Sequence, residues 1–492
     1  MDSQANDESI HFVLFPFMAQ GHMIPIIDCG RMLAQSGIII SVVITPLNAA
    51  RCQTIIDQAI ESGLRIRLIQ LPFPCEEAGL PRGCESLDTL PSMDLAANFY
   101  AATAKLQLPV ENLFKGLNPR PCCIISDTLL PWTIHVANKF DVPRISFHGI
   151  PCFSLLCSRN YYLYKVFESI KTESEYFVMP GIPDRIEFTK AQLPGYMHKN
   201  LDDFGKQVLA AEAKNYGLIV NTFEELETAY VKEYKKTTKG KVWCLGPVSL
   251  CNKDNTAMAA QRGNKLSNDG YQCLEWLDSQ EMNSVVYACL GSLCNLIPAQ
   301  LIELGLGLEL TNRPFIWVIR GGDNRSEELE KWIVENKFEE RIKGRGLLFR
   351  GWAPQLLILS HPAIGGFLTH CGWNSTLEGI CGGVPMITWP LFADQFCNEK
   401  LVVQTLKIGV KVGVEIPVKW GEEENVGVLV SKEDVKMAVG MLMNEGEGRR
   451  RRAKELGEMA KRATEEGGSS QLDMAMLIQD IVQQASNNTL KD

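Results

Sequence analysis

Short apolar runs alternate along this chain with longer amphipathic stretches. "HFVLFPF" (11–17) predicts a strand, and Pro25 falls in the first turn of a helix over "PIIDCGRMLAQSG", where a residue lacking an N–H is tolerated. "IIISVVIT" (38–45), "RIRLIQL" (65–71), "CCIIS" (122–126), "PRISF" (143–147) and "GLIVN" (217–221) predict further strands. A second series opens near residue 280 with the strand "SVVYACL" (284–290) and the helix "PAQLIELGLGLELT". "PFIWVIR" (314–320), "GLLFR" (346–350), "IGGFLTH" and "VPMITWP" follow. Such runs fit parallel strands buried on both faces. Two βαβ series predict an α/β fold of two doubly wound domains, 1–245 and 276–466, with ligands beyond the carboxyl ends of the strands. Residues 246–275 between them are polar and without apolar periodicity, which predicts a linker and mobile loop. In 467–492, Met474, Leu477, Ile478, Ile481 and Val482 fall on one face of a helix that needs a partner surface.

Composition narrows the class. The chain has 492 residues, 46% hydrophobic and 22% charged, with a net charge of −9. That balance argues against nucleic acid, whose phosphates need a basic surface. The one basic run, Arg449 to Arg452, sits among acids in a helix-forming stretch and reads as a solvated face. Sixteen cysteines are scattered, with no C-x-x-C and no zinc-type spacing. The first residues are acidic where a signal peptide would be basic, and no apolar run reaches the length of a membrane span. The expectation is a reduced, cytoplasmic protein without stable membrane insertion. Nothing demands more than a monomer.

The chemistry concentrates in "GGFLTHCGWNSTLEGICGG" (365–383). Gly372 allows close backbone approach. Asn374 and Ser375 lie where a helix would start, and its first N–H groups form an anion site. Ser375 and Glu378 also spell the S-x-x-E capping box, so capping and phosphate binding stand about even on this fragment. Upstream, Trp352 follows a strand, as a core residue or a base-stacking one. Downstream, Asp394 and Gln395 form either an ordinary loop or a pair suited to sugar hydroxyls. His22 follows the first strand with a reference pKa suited to a general base. Asp127 ends another strand and is able to orient that imidazole. Spacing alone does not show that residues 105 positions apart touch.

The 44 residues from Trp352 to Gln395 are similar to the signature box of plant UDP-dependent glycosyltransferases of secondary metabolism. "GHMIPIIDCGRML" and "PCEEAGLPRGCES" resemble one branch of that family, whose members glycosylate triterpenoids, steroids, flavonoids and cytokinins. The resemblance implies the GT-B fold, two Rossmann-like domains facing a cleft, with the C-terminal helix packing back on the N-terminal domain. It implies an inverting transfer with no metal and no cofactor, UDP-glucose being a co-substrate. By the same resemblance, Trp352 and Ala353 meet uracil, and Gln355 and Glu378 bind the ribose. His370, Gly372, Asn374 and Ser375 hold the diphosphate with Ser292 nearby, and Trp373, Asp394 and Gln395 contact the sugar. A closing glutamine accompanies UDP-glucose in that family. His22 and Asp127 fall where the family has its catalytic dyad. The acceptor is expected among loops 80–95, 129–132, 148–153 and 190–205, with Leu129, His148, Phe153 and Phe392 as candidates.

Inverting transfer needs a base for the acceptor and donors for the leaving diphosphate. The chain has no D-x-D pair of the kind a metal-dependent transferase uses. A dinucleotide-dependent oxidoreductase would want G-x-G-x-x-G after the first strand, where the chain has "MAQGHM". A binding protein without catalysis would need neither His22 nor Asp127.

Overall fold

Strands buried on both faces have nowhere to turn except through crossover helices, and the chain folds accordingly into two parallel sheets. The structure is a computed structural model and describes residues 10–193, 202–238, 241–252, 262, 269–294, 296–319, 324–419 and 422–489. Most of the expected linker and part of the expected acceptor loop (194–201) lie outside these residues.

The first half supplies β1 (His11–Phe15), β2 (Ile39–Ile44), β3 (Ile66–Gln70), β4 (Cys123–Asp127) and β5 (Arg144–His148). A small antiparallel hairpin follows, β6 (Tyr176–Val178) and β7 (Glu187–Thr189), then β8 (Gly217–Val220) and β9 (Lys241–Cys244). The first sheet runs β3-β2-β1-β4-β5-β8-β9, with every pairing parallel. The second half supplies β10 (Val285–Cys289), β11 (Phe315–Ile319), β12 (Gly346–Arg350), β13 (Ile364–Thr369), β14 (Met386–Thr388) and β15 (Gly409–Lys411). They run β12-β11-β10-β13-β14-β15, again all parallel. In each sheet the order reverses beside the first strand, between β1 and β4 and between β10 and β13. These switch points open crevices at the strands' carboxyl ends, the place where doubly wound sheets bind ligands.

Two differences from the pattern-based expectation have physical causes. The first helix spans Gln20–Gln35 and holds Pro25 in its interior, five residues after its first residue and past the first turn. Proline cannot donate to the carbonyl four residues back, and that carbonyl, of Gly21, instead accepts from Asn374 Nδ2 at 2.6 Å. Strand β9, of four residues, and β6, β7 and β15, of three each, are too short to announce themselves. No helix among the described residues is long and apolar enough to cross a membrane. All sixteen cysteines are free thiols.

The C-terminal helix, Ser469–Thr489, returns to the first sheet. Leu477 and Ile481 are fully buried with Trp243 and Leu245, while Met474 and Ile478 are partly covered and Val482 lies at the margin. Asp473 accepts from the Cys244 N–H at 2.6 Å, and Asp480 pairs with Lys241. Leu477→Ala is therefore expected to cost about 2–5 kcal/mol in denaturant unfolding, and a loss below about 1 kcal/mol would show that the helix end is not docked.

Candidate active site

The segment after β13 makes a helix at Trp373–Cys381 whose N-cap is Gly372. Glycine has no side chain to satisfy the first N–H groups, and no side-chain cap bond forms. The S-x-x-E pattern is therefore not a capping box here. Ser375 lies inside the first turn and its Oγ accepts from Gln355 Nε2 at 3.0 Å. Glu378 accepts from Gln355 Nε2 at 2.7 Å and pairs with Arg262. The helix N-terminus keeps its partial positive charge and open donors, the arrangement that binds anions.

His370 stands at that N-terminus between two glycines. A Cβ on Gly372 would fall 2.3 Å from His370 Nε2, and one on Gly291 would fall 2.5 Å from it. Gly291 also has φ +80, the left-handed region. Burial holds the His370 pKa down to about 4, against a hydrogen bond with the Cys289 backbone. At neutral pH the ring is an uncharged hydrogen-bonding group. His370 Nδ1, Asn374 Oδ1 and Thr376 Oγ1 are buried there with no protein partner, a concentration of unmet polar atoms that calls for a ligand. Ser292 is half-buried in the turn directly after Gly291. Cys371 and Ala393 hold left-handed backbone at φ 63 and φ 56, flanking His370 and Asp394, where strained conformations gather at functional sites.

Around this seat the other box residues converge. Trp352 is half-buried, and its Nε1 donates to the Arg262 carbonyl at 2.9 Å. Ala353 is buried beside it. Tyr287 donates to Gln355 Oε1 at 3.2 Å. Trp373 is buried, and its indole N–H donates to the Asn221 carbonyl of the first half at 2.7 Å. Its side chain thus ties the halves together instead of facing a ligand. Asp394 is half-buried and held by Asn398 Nδ2 at 2.7 Å. Gln395 Oε1 accepts from the N–H groups of Leu391 and Phe392 at 2.8 and 3.2 Å, which fixes its amide.

Across the cleft, the β1–β4 switch point brings His22 and Asp127 together. His22 Nδ1 lies 2.9 Å from Asp127 Oδ2, with His22 39% exposed and Asp127 2%. Asp127 Oδ1 accepts from the Leu129 N–H at 2.9 Å. Burial would lower the His22 pKa, but the Asp127 charge, its hydrogen bond and the Asp394 charge outweigh it and raise it. Asp394 in turn responds to His22. The two halves of the site therefore lie within electrostatic reach of each other.

The remaining expectations fare differently. His148 is buried, and its Nε2 is engaged by Glu212 Oε2 at 2.9 Å, so it is not open to an acceptor. Phe153 is fully buried with its ring edge-on to Tyr230 at 4.9 Å and belongs to the core. Leu129 is half-buried near the dyad, and Phe392 is buried beside Asp394. Three features carried no signal in the pattern. Arg262 bridges Asp28 at 2.6 Å and Glu378, joining the two halves through buried charges. Phe17, Tyr100 and Phe204 form an aromatic column against His22: Phe17 lies edge-on to the imidazole at 5.3 Å, stacks on Tyr100 at 5.6 Å, and Tyr100 meets Phe204 at 4.2 Å. Burial and the Asp127 charge push the Tyr100 phenol up to about 12, placing it near the dyad. Arg144 is buried beneath the Asp127 turn.

Comparison with known proteins agrees with this geometry. The family model for UDP-glucuronosyl and UDP-glucosyl transferases matches residues 183–444, and one for a glycosyltransferase N-terminal domain matches residues 8–250. The chain is 55% identical over 485 residues to UDP-glycosyltransferase 73C12 of Barbarea vulgaris, covering 97% of this chain and 98% of that one. The fold is similar to that of Glycyrrhiza uralensis UGT73P12 complexed with glycyrrhetinic acid 3-O-monoglucuronide, with TM-score 0.89, 36% identity and 98% of each chain covered. It is also similar to Arabidopsis thaliana UGT89C1 complexed with UDP-L-rhamnose, with TM-score 0.74, 29% identity, and 96% of this chain and 98% of that one covered. The two facing Rossmann-like units are those of the GT-B fold.

The glycine sandwich around His370 yields a direct prediction. Gly372→Ala should displace the imidazole and lose a hydrogen bond to a charged group, about 1.5–3 kcal/mol, so UDP affinity falls about tenfold or more. An unchanged UDP dissociation constant by calorimetry would show that His370 does not face the ligand.

Proposed function

The chain belongs to the UDP-glucuronosyl and UDP-glucosyl transferase family, and on that premise we propose that it transfers glucose from UDP-glucose, with inversion and without a metal, to a hydroxyl of a lipophilic small molecule. One observation carries the mechanism. The His22–Asp127 pair lies within electrostatic reach of Asp394, and Gly21, next to His22, accepts from Asn374 in the first turn of the open helix.

His22 Nδ1 is committed to Asp127, which leaves Nε2 as the basic nitrogen. It takes the proton of the acceptor hydroxyl as that oxygen bonds to the anomeric carbon. The bond from that carbon to the diphosphate oxygen breaks, and the diphosphate leaves with the electron pair. The N–H groups of the Trp373–Cys381 helix and the neutral His370 stabilise the growing negative charge, aimed before the reaction begins. Trp352 stacks on uracil, Gln355 and Glu378 take the ribose hydroxyls, and Asp394 and Gln395 take hydroxyls of the sugar. General base catalysis contributes about 10²–10⁴ in rate.

The aromatic column beside His22 supports an apolar acceptor. A triterpenoid or steroid comes first, in line with the glycyrrhetinic acid conjugate held by the Glycyrrhiza uralensis relative. A flavonoid or other phenolic comes next, then a cytokinin or other hormone. The second reading of the donor is a different UDP-sugar, such as UDP-galactose or UDP-glucuronic acid; one relative, at 29% identity, holds UDP-L-rhamnose. Purified protein with UDP-glucose, UDP-glucuronic acid and UDP-galactose against such acceptors, read by product mass, separates these readings. We place the activity in the cytoplasm, which the free thiols support.

His22→Ala should abolish transfer while UDP binding survives, and near-normal transfer by that variant would sink the base assignment. The raised His22 pKa has a defined sign. The neutral imidazole is the active form, so kcat/KM falls as pH drops through a value above the ordinary 6.5. Asp127→Asn removes the charge that raises it, so the acid limb should move to lower pH as kcat falls. A limb that stays in place would show that the imidazole does not feel Asp127.

A further inference from the structure

Arg144 is a long cation with 2% exposure at the start of β5, on the far side of the Asp127 turn from His22. A buried guanidinium is costly unless it is fully paired, and the pairing here is specific. Its Nε donates to Thr133 Oγ1 at 2.7 Å, and that hydroxyl reaches the Leu130 carbonyl at 2.7 Å. Its Nη2 approaches the Asp127 and Leu130 carbonyls at 3.4 and 3.5 Å. Its Nη1 donates to Asn215 and lies 3.6 Å from Glu212 Oε1. Both ends of the 127–130 turn thus rest on one side chain, while the Asp127 carboxylate points the other way to His22 and the Leu129 N–H.

The counter-charge is equally built. Glu212 ends the helix Asp202–Glu212. It accepts from Ser146 Oγ at 2.6 Å, Asn215 Nδ2 at 3.0 Å and His148 Nε2 at 2.9 Å. Burial would raise its pKa, but His148, Arg144 and Ser146 together hold it down to about 2. The group is a permanent carboxylate that secures Arg144 from below. The same helix carries Phe204 onto Tyr100 in the aromatic column.

We propose that Arg144, anchored by Glu212, is a positioning residue for the dyad: it fixes the Asp127 turn so that the carboxylate meets His22 in one orientation. The inference rests on the dyad reading above. Its loss should act on the chemical step through Asp127 and leave the donor site alone.

The test is a double-mutant cycle on the full-length protein, with kcat and the KM for UDP-glucose measured for wild type, Arg144→Gln, Asp127→Asn and the pair. Arg144→Gln should lower kcat about 10- to 100-fold, the cost of misplacing a catalytic group by about an ångström, with the UDP-glucose KM unchanged. In the Asp127→Asn background the same change should cost less than about threefold, because groups acting as a unit are not additive. If Arg144→Gln does not fold, Arg144→Gln/Glu212→Gln, which removes both halves of the ion pair, takes its place in the cycle. Equal losses in both backgrounds, or a UDP-glucose KM that moves with kcat, would overturn the positioning role alone. A wild-type kcat in Asp127→Asn by itself would remove the dyad, and this inference with it.

Discussion

The carbonyl of Gly21 is where the two halves of the enzyme meet. Pro25 cannot give it the usual helical donor, and Asn374 from the other domain does. The neighbouring residue on one side of this bond is His22, and on the other side begin Trp373 and Ser375 at the phosphate seat. This hydrogen bond helps to set His22 and the N-terminus of the Trp373–Cys381 helix, the proposed base and leaving-group site, in one frame. Proximity of this kind is able to supply about 7–11 kcal/mol of the barrier in a two-substrate reaction.

Other links reinforce that frame. Trp373 donates to Asn221, Ser154 donates to Asn398 at 3.1 Å, and Arg262 spans Asp28 and Glu378. These groups are buried, so each demands its partner, and separating the domains would strand polar atoms. The geometry is therefore cooperative. Glu378, which holds Gln355, is tied through Arg262 to Asp28 of the first half, so the proposed ribose site shares the interface that carries His22. Electrostatics follow the division of labour: His22 is tuned upward beside Asp127, while His370 is kept neutral by burial.

Much of this was legible in the residues. Most strands announced themselves because burial on both faces leaves unbroken apolar runs, and the C-terminal helix did so through one apolar stripe. The donor box was legible through its resemblance to a family signature; on the residues alone, Ser375 and Glu378 stood evenly between a helix cap and a phosphate seat. What stayed hidden depends on contacts between distant segments. Pro25 obeyed its usual preference for a first turn until a partner from another domain took up the Gly21 carbonyl. Ser375 and Glu378 spelled a cap that the helix, starting at Trp373, does not use. Arg144 reads as the polar edge of a strand, and Arg262 as linker. His148 looked like a site residue by position, and only the fold shows Glu212 holding it.

The central claim is a single displacement in which an acceptor oxygen deprotonated by His22 attacks opposite the departing diphosphate. The stereochemistry of the product tests it most directly. Proton NMR of the anomeric centre, with α-linked UDP-glucose as donor, should show the β-glycoside alone. An α-glycoside would mean retention, and would contradict the proposed displacement with base and leaving group on opposite faces of the sugar.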